Sequence, residues 1–372
     1  MDRADRVREV RVYRYALSYA HGTYVMSNGR EVTVLPSIVV AMTAESGLTG
    51  YGEVCPLGTT YLPGFAAGVL AALGELAPAL IGQSATETSA LYARMDAALA
   101  GHGYAKSVLD IAALDLFGRH VNLPCSALLG GRRLEDFPLY VAVPLDTPEA
   151  MAAFVTRARA EGLHRFQLKI GGAPETDAER AAAVVEATGE QDVIVADANG
   201  GWRLQDATIA VRLLEGMPRL RLEQPCPTIE ECLILRQRTS LPLVLDEVIT
   251  DVQSLLRCFT AGAMDAINLK ISRVGGITRA RMIRDLAEEL GLRLTIEDTW
   301  GGDLTTAAVS HLAATSAPEA LFAASFMNEW TLEHVAGDAP RSRRGRGSAP
   351  AGPGLGVEVD EGALGEPLAR YC

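Results

Sequence analysis

At 372 residues, 48% of them hydrophobic, the chain is long enough for two domains and a large core. Its formal charge of −12 argues against nucleic acid and anionic membrane as partners, since both reward surplus lysine and arginine. The run MDRADRVREVRVYRYAL is charged from its second residue and lacks the apolar centre of a signal peptide, and GVLAALGELAPALIG is too broken to span a bilayer. Cys55, Cys125, Cys226, Cys232, Cys258 and Cys372 show no zinc-like spacing, so reduced thiols and a cytoplasmic, soluble protein are expected.

In chain order, REVRVYRYALSY and LPSIVVAMTAESGLTGYGEV read as strands with glycine turns. FAAGVLAALGELAPALIG, TETSALYARMDAAL and AKSVLDIAALDLFGRHV read as helices. Strands followed by helices predict a segregated α+β domain over 1–135. From Pro138 the pattern alternates, with strands expected at 138–144, 165–170, 192–197, 220–224, 241–246, 265–270, 292–297 and 319–325. Helical runs such as PEAMAAFVTRARAEG and TRARMIRDLAEELG separate them, which predicts an α/β domain over 136–345 with a closed parallel sheet. The run GDAPRSRRGRGSAPAGPGLG reads as a solvated, mobile linker, and a tail over 346–372 is expected to return to the first domain.

Five of the expected strand ends carry a charged residue: Lys169, Asp197, Glu223, Asp246 and Lys270. They are spaced by 28, 26, 23 and 24 residues, about one strand, one helix and two loops. The second and sixth strands of an eight-stranded ring stand opposite each other, so the two lysines are expected to face across the mouth. The three acids occupy the arc between them. Carboxylates gathered in one pocket repel unless a cation is present, and oxygen-only ligands suit Mg²⁺, with Mn²⁺ as the other option. The α-hydrogen of a carboxylate is a far weaker acid than a lysine ammonium, so a Lewis acid must stabilise the enediolate while a lysine takes the proton.

These motifs resemble the mandelate racemase and muconate lactonizing enzyme branch of the enolase superfamily, over essentially the whole chain. The resemblance implies a modified TIM barrel, (β/α)₇β, under an α+β capping domain, and a homo-oligomer acting on a small carboxylate. It assigns Lys169 and Lys270 as the catalytic bases and Asp197, Glu223 and Asp246 as metal ligands. Asn199 and Glu247 fall at positions that commonly support those ligands. Many members carry lysine two residues before the base. Gln167 stands there instead, which leaves Lys169 without that neighbouring charge.

The seventh strand ends in TIEDTWGGD without a histidine, so the His–Asp base of true mandelate racemases is absent. Glu297, Asp298 and Trp300 in that run are candidates for supporting the site or contacting substrate. The eighth strand, EALFAASF, lacks the paired acids of dipeptide epimerases. The loop GEVCPLGTTYLPG resembles those of hydroxyproline betaine epimerases and cis-3-hydroxyproline dehydratases, which implies a proline-like substrate. Tyr61 with Phe326, or with Trp330, matches the aromatic pair that holds a quaternary nitrogen in the former. Tyr24 and Met26 lie in a second loop expected to close over the site. Both dehydration and 2-epimerisation start from the same proton abstraction, and N-acyl amino acid racemisation or muconate-type cycloisomerisation remain open. So do two other classes, a metal hydrolase, which would recruit histidines, and a non-catalytic binding barrel.

Overall fold

The computed structural model describes residues 4–337 and 339–372; the first three residues of the charged N-terminal run and Asp338 of the expected linker lie outside them. The strands Val7–Ser18 and Val34–Ala44 pair antiparallel, flanked by Thr49–Val54 on one side and Ala369–Tyr371 on the other. Val34–Ala44 is apolar at most positions, more than a one-sided sheet requires. Strand alternation accounts for this: Ile38, Val40 and Met42 face the cap's own helices, whereas Leu35, Val39 and Ala41 belong to the core shared with the barrel. Helices Ala66–Leu76, Thr88–Ala98 and Gly103–Val121 build the first of these cores. The last of them lies so close to Thr49–Val54 that a Cβ on Gly52 would run into the carbonyl oxygen of Val108, so glycine is required there.

Among the described residues, eight parallel strands then follow in sequence order: Val141–Val143, Arg165–Lys169, Val193–Asp197, Leu220–Glu223, Leu243–Leu245, Ala266–Lys270, Arg293–Glu297 and Leu321–Ala324. The ring closes where Tyr140 donates its N–H to the Ala324 carbonyl at 3.1 Å. A helix follows each of the first seven strands, which is the modified (β/α)₇β barrel expected. Local chemistry sets several starts: Pro148 and Pro174 occupy first helical turns, and Asp251 with Ser254 forms a reciprocal cap. No helix among the described residues is long and apolar enough to cross a membrane.

Cap and barrel meet along the helix Asp303–Ala314, which is buried at every position. Thr49–Val54 lies against it and places the Glu53 carboxylate at its N-terminus. There Glu53 accepts hydrogen bonds from the N–H groups of Gly302 and Thr305, both at 3.0 Å, from Ser37 Oγ at 2.7 Å, and from the Tyr15 hydroxyl.

Two expectations need correction. The first barrel strand is only Val141–Val143, because Phe137–Pro138 leaves the ring to pair antiparallel with Arg346–Gly347. That pairing also overturns the solvated linker. Its arginines are exposed, but Gly345, Gly347, Ala349 and Leu355 are buried along the backbone. Glycine makes this possible, since a Cβ on Gly347 would strike Phe326 and Phe137.

Candidate active site

Each charged strand end arrives at the same mouth because the parallel strands stop in near register: Lys169 is level with Asp197, Asp197 with Glu223, and Lys270 with Glu297. Lys169 and Lys270 stand on the second and sixth strands and line one cavity of about 30 Å³ from opposite walls. Both are nearly inaccessible, at 5% and 6% exposed, and Asp197, Glu223 and Asp246 have no exposed surface.

Lys169 Nζ donates to Gln167 Oε1 at 3.0 Å and to Asp197 Oδ2. Gln167 turns its amide nitrogen to both oxygens of Glu223, at 3.0 and 2.9 Å, and Asn268 Nδ2 donates to the same carboxylate at 2.6 Å. On the other wall, Lys270 Nζ donates to Asp246 Oδ2 and to the Tyr61 hydroxyl at 3.1 Å, with Glu297 Oε1 at 3.5 Å. Arg273 holds Asp246 Oδ1 at 2.6 Å. Asn199 Nδ2 bridges Asp197 Oδ2 at 2.9 Å and Glu247 Oε1 at 3.1 Å, and Tyr61 donates to that Glu247 oxygen at 2.7 Å.

Burial and crowding set the electrostatics. Burial pushes the Glu223 carboxyl well above its usual value, and the neighbouring charges of Asp197 and Asp246 push the same way. Glu247 rises to about 7 from burial and then from Asp246 and Asp197. Burial is the largest influence and acts against both ammonium groups, yet Asp197, Tyr24 and Glu223 together outweigh it at Lys169, as Asp246, Glu297 and Glu247 do at Lys270, and both lysines end above their usual range. Asp246 goes the other way: Lys270 and Arg273 overcome its burial and hold it below the carboxylate range.

The donor set fits a hard divalent cation. It is oxygen-only, buried, and carries negative charge that Glu223 registers as strain on its own ionisation. Asn199 Oδ1 and Glu247 Oε2 are buried beside it without a hydrogen-bond partner. Among the described residues no three metal-binding side chains already close on one point; Asp197 and Asp246 turn an oxygen to the lysines instead.

The remaining candidates separate. Tyr24, Met26 and Tyr61 reach the cavity from the cap, and Glu297, Asp298 and Trp300 line it from the seventh strand. Asp298 is committed to structure, accepting from the Ser272 hydroxyl and N–H and from Thr299 N–H. Phe326 does not line the cavity; its ring packs on Phe137 with centroids 6.1 Å apart, and Trp330 takes the place beside the cavity. Trp300 packs edge-on to Tyr24 at 5.2 Å and to Trp330 at 5.8 Å. Sequence reasoning missed Asn268, Arg273 and Tyr140, whose hydroxyl donates to Glu297. For Asn268 a signal existed: it stands two residues before Lys270, on the same face of its strand.

Two family models match the chain. Residues 17–130 match the mandelate racemase / muconate lactonizing enzyme N-terminal domain, and residues 150–363 match the enolase C-terminal domain-like family. A cis-3-hydroxy-L-proline dehydratase from Roseibium aggregatum is 43% identical over 98% of this chain and 100% of its own. An N-succinyl-L-Arg/Lys racemase from Bacillus cereus is 29% identical over 92% of this chain and 93% of its own. A crystal structure of an enolase superfamily member from Roseovarius nubinhibens ISM, complexed with magnesium, superposes with a TM-score of 0.93 at 32% identity, covering 98% of this chain and 99% of that one. The chain is therefore an enzyme of the enolase superfamily and belongs to its mandelate racemase / muconate lactonizing enzyme group.

Proposed function

We propose that the protein is a Mg²⁺-dependent dehydratase of a cis-3-hydroxyproline-type amino acid. The observation that carries this reading is the pair of buried lysines on opposite walls of one cavity, with the carboxylates between them. Asp197, Glu223 and Asp246 would hold the ion, and Gln167, Asn268, Asn199 and Arg273 would orient those carboxylates. Bound there, the ion would hold the substrate carboxylate and stabilise the negative charge that develops on its oxygens.

In a cis-3-hydroxyproline ring the carboxylate and the hydroxyl share one face, so the α-hydrogen lies on the other. A base and an acid on opposite sides of the ring match that geometry. Neutral Lys169 takes the α-proton. Lys270, as the ammonium, gives a proton to the departing 3-hydroxyl. The Cα–H and Cβ–O bonds break, a carbon–carbon double bond forms and water leaves. The identity to a cis-3-hydroxy-L-proline dehydratase supports this choice of substrate. Tyr24, Met26 and Trp300 wall off the reacting face from water.

A second reading, 2-epimerisation of a proline betaine, is favoured by the aromatic wall of Tyr24, Trp300 and Trp330, whose ring faces suit a quaternary nitrogen. Incubation in heavy water with Mg²⁺ separates the two. Dehydration predicts loss of water from cis-3-hydroxyproline and no inverted proline betaine. Lys169→Ala is expected to abolish α-proton exchange, and Lys270→Ala to lower dehydration by about 10²–10⁴-fold. Absence of both water loss and exchange from every proline-type substrate would refute the proposal.

A further inference from the structure

The barrel interior also opens at the end remote from the lysines. A cavity of about 430 Å³ lies there, within the size range of small-molecule sites, roughly 300–1,000 Å³. Its lining includes Arg165, Arg221, Arg293 and Phe322. Each arginine stands on a strand that ends in a residue of the catalytic mouth: Arg165 on that of Lys169, Arg221 on that of Glu223 and Arg293 on that of Glu297. The separations are even, so strand alternation turns all three inward. Barrel interiors are normally filled by branched apolar side chains, so three guanidinium groups lining this end are a departure.

These charges are not neutralised from within. Among the described residues none of the three arginines has a hydrogen bond or ion pair, and Arg165 Nε is buried without a partner. The acids on the same wall are committed elsewhere. Asp265 accepts from Arg236 at 2.5 and 2.8 Å and from Leu243 N–H at 2.8 Å, and Glu223 is held by Gln167 and Asn268. The Arg165 and Arg221 guanidinium carbons each lie 5.1 Å from the centroid of the Phe322 ring, which holds both groups at the cavity wall. Burial first, and then the charges of Arg346, Arg221 and Arg293, push the Arg165 guanidinium down to about 10.

We propose that this lower mouth binds a small polyanion, a molecule carrying phosphate groups or several carboxylates, through Arg165, Arg221 and Arg293. A guanidinium presents a planar fork of donors that matches both kinds of oxyanion. The site lies directly beneath the catalytic one, since Gln167 and Tyr140 line both cavities.

The test uses the full chain in buffer free of divalent metal, because pyrophosphate and citrate both chelate it. Calorimetric titration with pyrophosphate, and separately with citrate, is compared with sodium chloride at matched ionic strength. Saturable binding of one pyrophosphate or one citrate per chain is expected, and which of them binds identifies the oxyanion recognised. Arg221→Gln should weaken it at least about tenfold, the loss of one charge-assisted contact. Arg165→Met should raise the melting temperature without anion, by removing a repelled charge, and abolish the further rise that the anion produces. Equal responses to chloride, undiminished binding in both variants, or an Arg165→Met protein that melts below the parent would each overturn the proposal.

Discussion

Gln167 decides more at this site than its neutral side chain suggests. It accepts from Lys169 with its oxygen and donates to Glu223 with its nitrogen, so it couples the base to a carboxylate without adding charge. In Gln167→Lys a second ammonium would stand beside the first and disfavour its protonation. The acid limb of the kcat/KM profile should then move to lower pH, and an unmoved limb would mean that Lys169 is not the base. Asn268 acts only through Glu223, which it holds at 2.6 Å. Asn268→Ala should weaken Mg²⁺ binding about ten- to a hundredfold in a calorimetric titration while leaving the circular dichroism spectrum unchanged. The charged strand ends were legible because they recur at the pitch of one strand, one helix and two loops. Trp330 was harder to place than Phe326 because the chain leaves the eighth strand through the turn Met327–Trp330, where alternation no longer says which side chain points inward. Arg273 escaped for the same reason, sitting in the short helix Ile271–Val274.

Among the elements, Asp303–Ala314 carries a buried histidine whose surroundings set a pH limit. On it His311 accepts from Ser126 N–H through Nδ1 at 3.1 Å and donates from Nε2 to the Leu355 carbonyl at 3.0 Å, which requires the neutral ring. Burial pushes its pKa down to about 4 from 6.5, with the Leu355 carbonyl opposing. A folded pKa below the unfolded one means that stability is fully present above pH 6.5 and is lost as pH falls through 4. The size is roughly 3 kcal/mol. Denaturant midpoints measured from pH 7 to pH 4 should show that loss. His311→Gln, which keeps one acceptor and one donor, should flatten it. The sequence announced the helices between strands through their periodicity. It did not announce that one of them is covered on every side, because that cover comes from a strand some 250 residues earlier.

At the scale of the whole molecule, the cap is fixed to the barrel through Glu53, a single carboxylate with four donors around it. Glu53→Ala would leave two hydroxyls and two N–H groups buried without an acceptor, at a cost of about 3 kcal/mol or more. Chemical denaturation should register that loss, and a change below about 1 kcal/mol would mean that apolar packing and the other polar links, such as Asp110 with Thr278 and Ser18 with Glu333, hold the domains together without it. The two-domain architecture was readable because strands, helices and then strict alternation occupy separate stretches of the chain. The ribbon between Phe137–Pro138 and Arg346–Gly347 was not, because its partners lie far apart in sequence and are too short to carry a period.

The outer strand Ala369–Tyr371 has a temporal consequence. Its partner, Val7–Ser18, is synthesised well before it, and about 360 residues separate the paired positions. At roughly 5–20 residues per second the ribosome needs about 20 to 70 seconds to cover that distance. Throughout that interval one flank of the nascent sheet offers bare backbone donors and acceptors to any other chain.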